Sequence, residues 1–426
     1  MIRFNSDKVE KTLLVDGDNL FKIGFHGVRE YYHNGNHIGG LFHFINTLRK
    51  HLDENNFDKV LVFWDGPDNS AVRKKIYPNY KENRRAPLNE FQKENFYWQK
   101  NKVKKYLEEM FVRQVEFEQC ESDDLIAYYC LIAPNEKKTI FSSDKDYLQL
   151  VDENTMVYAP IAKTYYKSGS KVRIYEYEIP VSNILTYKIL TGDKSDNISG
   201  IYGLGEKKLV KFFPELLDQT ISVTDILTKA ELLIKEDKNN KTLQNLLTGR
   251  TKEGIFGDEY FQINKTIVDL KTPLLTDEAK ELVQAYCTES LDPEDRGYKN
   301  LIRMMTDDGI FKYLPKSDDA WVYFIKPFLK LTRKEKQAQH VAAPSKKQLE
   351  TITGAADRIA ELEMQEAKLL DKLSKQGTTL SEKRKSAAET MSKGIELELD
   401  DLHMASAQFG VDFQTKPDPN GIPLAD

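Results

Sequence analysis

Short apolar runs alternate with helical periodicities through the first half of the chain. The candidate strands are Thr12 to Val15, Val60 to Trp64, Arg113 to Phe117 and Thr139 to Phe141, each followed by a polar or acidic cluster. This alternation is the signature of a parallel sheet covered by helices. In open α/β sheets the ligand crevice lies beyond the carboxyl ends of the strands, so the residues just after these runs are expected to converge. After about Val181 the pattern turns helical, is punctuated by glycine from Ser199 to Gly205, and continues to about Glu289. The aromatic segment from Gly297 to Lys330 is expected to pack on the body. Beyond Pro344, the positions Ile352, Ala355, Ile359, Leu362, Leu369 and Leu373 trace a heptad seam interrupted by Glu366. A second amphipathic stretch runs from Ser381 to Leu402, so a helical hairpin or a short coiled coil is expected there. The last stretch, from Thr415, is rich in Pro, Gly and Asp and reads as disordered. No internal repeat is found.

Composition adds a class. The 426 residues are 40% hydrophobic and 30% charged, enough for a sizeable core and two or three units. No apolar run approaches the roughly 20 residues of a membrane helix, and the first residues lack the apolar stretch of a signal peptide, so a cytoplasmic protein is expected. Cys120, Cys130 and Cys287 are scattered and form no C-x-x-C pair, which argues against a disulfide framework or a zinc knuckle. The net charge of −5 hides an uneven distribution. Residues 73–105 carry eleven Lys or Arg and three Glu, a net +8, whereas residues 350–426 carry nine bases and fifteen acids. One basic stretch in a nearly neutral body suits a focused grip on phosphates.

The strand ends supply the chemistry. In order they read Leu14-Val15-Asp16-Gly17-Asp18, Phe63-Trp64-Asp65, Glu121-Ser122-Asp123-Asp124, Ser143-Asp144-Lys145-Asp146 and Gly192-Asp193-Lys194-Ser195-Asp196. Any one of these acids has an ordinary explanation, because Asp is a favoured helix cap and turn residue. Together at one edge they would repel and raise one another's pKa unless cations neutralised them. Magnesium is the natural candidate: it takes hard oxygen ligands and is often held by one or two carboxylates plus substrate phosphate. None of the seven histidines lies in these motifs. Two such ions about 4 Å apart would serve an in-line displacement at phosphorus, that is, phosphodiester hydrolysis. No G-x-x-x-x-G-K-[ST] loop is present.

Two further segments narrow the substrate. The run Ser70 to Arg85 follows directly after Asp65 and interleaves cations with Tyr77 and Tyr80, then Phe91, Phe96, Tyr97 and Trp98. Most charge runs are solvated helix faces, but cations mixed with aromatic rings at a metal crevice suit single-strand binding by charge and stacking. The run Ile198-Ser199-Gly200-Ile201-Tyr202-Gly203-Leu204-Gly205-Glu206-Lys207-Lys208 reads as two short helices joined by a glycine turn. Its glycines permit close backbone approach, and its lysines would hold duplex backbone without reading sequence.

These motifs, LVDGDNL, the Asp65 strand end, NYKENR, ESDD, SSDKDYLQL and GDKSDNISGIYGLGEKK, resemble the flap endonuclease and 5'-to-3' exonuclease family over about Leu13 to Leu270. The likeness is greatest to bacteriophage and bacterial polymerase-associated members. The resemblance implies an α/β fold: a parallel-sheet, PIN-like nuclease core at 1–192 whose helical arch at 70–110 admits a 5' single strand. A helix-three-turn-helix unit would clasp duplex at 193–295; outside the shared pattern, the chain reads as a helical segment packed on the body at 296–335 and an acidic helical tail with a disordered end at 336–426. It implies Asp16, Asp65, Glu121, Asp123 and Asp144 as a first metal group, and Asp124, Asp146, Asp193 and Asp196 as a second group or its support. Arg73 and Lys81 correspond to catalytic cations at the arch base. Tyr80, Arg84, Arg85, Gly200, Gly203, Gly205, Lys207 and Lys208 correspond to nucleic-acid contacts. Asp18 departs from the small polar residue expected there, so its role stays open between an outer-shell ligand and a cap. The implied cofactor is two Mg2+ ions, with Mn2+ substituting. The implied substrates are DNA with 5' flaps, nicks or ends, and RNA-DNA hybrid during primer removal, in a host cytoplasm if the chain is phage-encoded. The tail is a candidate for binding a polymerase or single-strand binding protein, or for self-association. Two other readings share features. A compact acidic-site endoribonuclease would lack the arch and glycine hairpin, and a silent DNA-junction scaffold would not require so costly an acidic cluster.

Overall fold

The computed structural model describes residues 9–28, 30–83, 89–288, 297–314, 322, 324–331, 346–401 and 408–413. The chain divides into two units, Met1–Gln339 and His340–Asp426. The first begins with β1 (Lys11–Asp16), α1 (Gly17–Gly27), the short hairpin β2 (Tyr32–His33) and β3 (Asn36–His37), α2 (Gly39–Glu54) and β4 (Lys59–Trp64). The basic segment follows as α3 (Ala71–Ile76) and α4 (Glu90–Glu109), then β5 (Arg113–Glu116), α5 (Ser122–Ile132), β6 (Lys137–Phe141), β7 (Thr155–Ala159) and β8 (Thr164–Tyr166). After the hairpin of β9 (Lys171–Ile174) and β10 (Tyr177–Pro180) comes α6 (Ile184–Thr191), then the two-residue pair β11 (Gly192–Asp193) and β12 (Ile198–Ser199). The remainder is helical: α7 (Glu206–Phe212), α8 (Val223–Glu236), α9 (Lys241–Leu247), α10 (Asp258–Val268), α11 (Asp277–Thr288) and α12 (Tyr298–Asp307).

The main sheet has the order β5-β4-β1-β6-β7-β8. All neighbours pair in parallel except β7 with β8, which are antiparallel. Strand alternation divides the side chains between two cores. Leu14 of β1 with Leu61 and Phe63 of β4 face one apolar cluster, shared with Leu125 and Ile126 of α5 and continuing into Leu209, Leu246 and Tyr260 of the helical region. Leu13 and Val15 with Val60, Val62 and Trp64 face the other, built from α1, α2 and α4 and joined by Leu301, Met305, Phe324 and Phe328. Each fully buried Leu, Val or Phe contributes roughly 1.5–3 kcal/mol. Sheet position is thereby fixed from both sides, and with it every strand end.

The four strands expected from sequence are present, within two residues at each end. Three features differ. β7 and β8 extend the sheet beyond the expected four strands, and the β9–β10 hairpin precedes the helical part. The rim strand β8 is exposed to half-exposed throughout and carries no buried alternation by which to recognise it. In the second unit the expected hairpin is absent: Lys346–Asp401 is one continuous α-helix of 56 residues. Gly377, at the place a turn would need, lies inside it. A single interior Gly costs about 1 kcal/mol relative to Ala, too little to break a helix of this length. Trp321 and Tyr323 of the aromatic segment lie outside the described residues. Among the described residues no helix is long and apolar enough to cross a membrane.

The turn after β4 is tightly set. A Cβ on Gly66 would fall 1.7 Å from the Phe117 carbonyl oxygen, and the Gly66 amide donates to the Cys120 carbonyl at 3.1 Å. Gly66→Val should therefore lower stability by about 2–4 kcal/mol in a denaturant melt. A wild-type midpoint would show that this turn does not hold β4 and β5 in place.

Candidate active site

Asp16 ends β1 and caps α1, accepting the Asn19 amide at 3.1 Å. Its carboxylate also accepts the hydroxyls of Ser142 at 3.0 Å and Ser122 at 3.4 Å, which follow β6 and open α5. Asp65, just beyond β4, accepts the Ser122 amide at 3.0 Å. Glu121 occupies the N-cap position of α5 and is 2% exposed. Asp144 caps a 3₁₀ turn, Lys145–Leu150, and accepts the Asp146 amide at 3.0 Å. Oxygens of Asp146, Asp193 and Asp196 lie within 4.8 Å of one another.

The basic segment is stitched to the turn between β11 and β12. The Lys81 amide donates to the Asp196 carbonyl at 2.9 Å. Asn83 Nδ2 donates to the Lys194 carbonyl at 2.9 Å, and Asn197 Nδ2 to the Asn79 carbonyl at 2.8 Å. Lys81 holds φ at +58°, a left-handed conformation that a non-glycine residue seldom adopts. Its Nζ meets both Glu121 oxygens, at 2.7 and 2.8 Å. The Tyr80 hydroxyl donates to Glu121 at 3.0 Å and to Asp196 at 3.3 Å.

Charges are crowded enough to shift protonation. Burial, reinforced by the neighbouring Asp65, pushes Asp16 up to about 6. Burial and then Asp144 push Asp146 up to about 7, against the pull of Lys188. Asp123 and Asp144 are also raised, by burial first. Asp65 goes the other way: burial is outweighed by Lys22, the Ser122 amide, Lys81 and Lys100. Asp193 is likewise held low despite burial, by Lys188 and Ser195. Lys188 bridges the group, bonding Asp146 and, at 2.6 Å, Asp193.

The structure thus gathers Asp16, Asp65, Glu121, Asp144, Asp146, Asp193 and Asp196 around Lys81 and Lys188. Several expected residues have other places. Asp124 is 1% exposed and gripped by both terminal nitrogens of Arg73, at 2.5 and 3.1 Å, and it also accepts the Leu274 amide. Its oxygens are engaged in tying α3 to α5, away from the role of metal ligand. Arg73 is itself 3% exposed, with Nε donating to the Ile267 carbonyl, and is built in as a strut. Tyr80, expected to contact nucleic acid, is 2% exposed, because its ring fills a small apolar cluster with Ile198, Ile267 and Val268. Arg84 and Arg85 lie outside the described residues. Asp18 accepts the Asp65 amide at 2.8 Å and pairs with Lys100 at 2.9 Å, so it holds the turn that presents Asp65.

The glycine hairpin forms, though its first arm is the β11–β12 turn and not a helix. A Cβ on Gly200 would lie 2.0 Å from the Thr191 carbonyl oxygen, and Gly203 has φ +80°. Gly205 caps α7. Lys207 is exposed and pairs with Glu176 at 3.4 Å, and Lys208 donates to Thr242 at 2.9 Å. Gly200, Gly203, Gly205, Lys194, Lys208 and Lys241 line a cavity of about 780 Å³. Sequence reading missed Lys188, Lys100, Lys22, Ser122 and Ser142 as site residues. Only Lys188, one turn before Gly192-Asp193 on α6, carried a local signal.

Acids delivered by successive parallel strand ends, with no His or Cys among them, define the carboxylate-centred, resolvase-like nuclease class. The 5'-3' exonuclease N-terminal, resolvase-like domain matches residues 11–177. The 5'-3' exonuclease of Halalkalibacterium halodurans is 33% identical over 210 residues, 46% of this chain and 66% of that protein. DNA polymerase I of Caldicellulosiruptor bescii is 29% identical over 216 residues, 48% of this chain and 24% of the polymerase. The chain therefore spans about a quarter of the length of the polymerase relatives it matches. The T5 5'-exonuclease, solved with zinc ions bound, shares the fold at a TM-score of 0.50 and 18% identity, over 71% of this chain and 99% of that one. Residues 11–177 carry the resolvase-like domain of the 5'-3' exonuclease family.

A pH test follows from Asp146. Its pKa is raised in the folded state, so it contributes stability at low pH that is lost as pH rises through about 7. The depressed carboxylates Asp65 and Asp193 are ionised throughout and add no slope there. Between pH 6.5 and 8, metal-free wild type should lose about 1 kcal/mol that Asp146→Asn retains. Parallel stability curves for the two proteins would mean that Asp146 titrates normally.

Proposed function

We propose that this chain is a structure-specific 5' nuclease that hydrolyses phosphodiester bonds at 5' ends, nicks and flaps of DNA, and in RNA-DNA hybrid, during replication or repair. The observation that carries this reading is the engagement of the basic segment with the acidic crevice, where Lys81 holds Glu121 at 2.7 Å and Asp196 through its amide. A 5' strand drawn along that segment arrives at the carboxylates.

The donor set fits a hard divalent cation. It offers carboxylate oxygens alone, and raised pKa values at Asp16, Asp123, Asp144 and Asp146 mark a place where added positive charge is stabilised. Asp16, Asp65, Glu121, Asp123 and Asp144 would hold one Mg2+ and Asp146, Asp193 and Asp196 a second, with Mn2+ substituting. Bound there, the ions would acidify water and offset charge developing on the phosphate. The protein's own groups do the rest. Lys81 exchanges Glu121 for a phosphate oxygen and brings its positive charge to the scissile group. Arg73 positions this lysine by anchoring α3 through Asp124. Ser122 and Ser142 fix the Asp16 carboxylate, and Asp18 fixes the turn bearing Asp65. The glycine hairpin, with Lys194, Lys208 and Lys241, holds duplex backbone.

The test is incubation of labelled 5'-flap, nicked, RNA-DNA hybrid and blunt substrates with Mg2+ or Mn2+. Asp144→Ala should cut at least about 1000-fold more slowly than wild type while still binding. Wild type that binds but never cuts with either ion would end the enzymatic reading. Lys81→Ala should lower kcat far more than it weakens duplex binding; equal losses would place Lys81 in the grip. Truncation after Gln339 should leave cleavage intact.

A further inference from the structure

Where the side chains of the Lys346–Asp401 helix are described, from Lys368 onward, its heptad seam is uncovered. Leu369 is 67% exposed, Leu373 48%, Leu380 51% and Leu397 68%. Extended from the spacing seen in sequence, the a positions are Ile352, Ile359, Glu366, Leu373, Leu380, Ala387 and Gly394. The d positions are Ala355, Leu362, Leu369, Gln376, Lys383, Thr390 and Leu397. The seam therefore contains one acid, Glu366, and one base, Lys383, with Gln376 and Thr390 as its uncharged polar positions and small or apolar residues elsewhere. A polar seam residue is the usual device by which a coiled coil fixes its register and orientation.

We propose that a second copy of this chain covers the seam, as an antiparallel two-stranded coiled coil. In an antiparallel pair the a positions of one helix lie beside the d positions of the other, and one register brings every a position beside a d position and matches the charged, the large apolar and the small layers. Leu369 meets Leu380 of the second copy, Ile352 meets Leu397, and Leu362 meets Ala387. Ala355 meets Gly394, small against small, Ile359 meets Thr390, and Leu373 meets Gln376. In that same register Glu366 meets Lys383, acid against base, twice by symmetry. A parallel pair instead sets Glu366 against Glu366 and Lys383 against Lys383, two layers of buried like charge. Charge on the rest of the helix agrees. Residues 357–371 are acidic in balance and residues 375–393 basic, and this register lays one block against the other. A hairpin within one chain would use the same pairs, but the helix is continuous through Gly377, which leaves the exchange between two chains as the way to satisfy them.

The experiment uses the full chain. Sedimentation or light scattering should give a mass twice the 49.2 kDa of one chain. Mild oxidation of a chain carrying Leu369→Cys and Leu380→Cys should yield a covalent dimer, while Leu369→Cys alone should yield none. Glu366→Lys should weaken the dimer at least tenfold, and Lys383→Glu added to it should restore the affinity. A monomer at micromolar concentration overturns the proposal. So does an oxidised monomer with its 369 and 380 thiols joined within one chain, which is the hairpin, or a dimer cross-linked through 369 alone, which is the parallel pair.

Discussion

Repulsion among carboxylates at one sheet edge is the constraint to which the core answers. Parallel strands deliver their ends to the same side, so each acid added there raises the free energy of its neighbours' ionised forms. The fold offsets this in two ways. Serine hydroxyls and backbone amides donate hydrogen bonds that offset part of the charge, as at Asp16 and Asp65. Ammonium groups take the remainder: Lys81 at Glu121, Lys188 at Asp146 and Asp193, Lys100 at Asp18. Those three lysines come from three different elements, so the electrostatics of the site hold the basic segment and α6 against the sheet.

Such an arrangement explains why the strut of Arg73 and Asp124 is buried. A guanidinium paired through two nitrogens and bonded to the Ile267 carbonyl has its charge matched and its donors used. Breaking one partner of such a pair leaves an uncompensated buried charge and costs several kcal/mol. The strut crosses from α3 to α5 and to the end of α10, so it locks the start of the basic segment onto both the sheet and the helical region. Its described first part, up to Asn83, is thereby held at the acidic crevice.

Much of this was legible in the sequence, for a reason that can be stated. Acids directly after apolar runs are local signals, and Asp16, Asp65, Glu121 and Asp144 sit where the runs end. The cations that balance them are not local. Lys188 is 42 residues from Asp146 and Lys100 is 82 from Asp18, so only folding brings them together. Tyr80 and Asp124 mislead for the related reason that a residue's type does not reveal which way it faces. The strand β8 went unread because an exposed rim strand has little apolar pattern to offer.

Lys188 has one more consequence. Its ammonium lies between Asp146 and Asp193, the place where a metal cation would find its ligands. Any incoming ion must therefore exceed what the side chain already provides. Potassium and sodium bring a single charge, as the lysine does, and lack its covalent tether, so the exchange gains them nothing. A divalent ion brings twice the charge and repays the displacement. If Asp146, Asp193 and Asp196 hold a cation as proposed, Lys188 would set a threshold of valence that any ion has to pass to displace it.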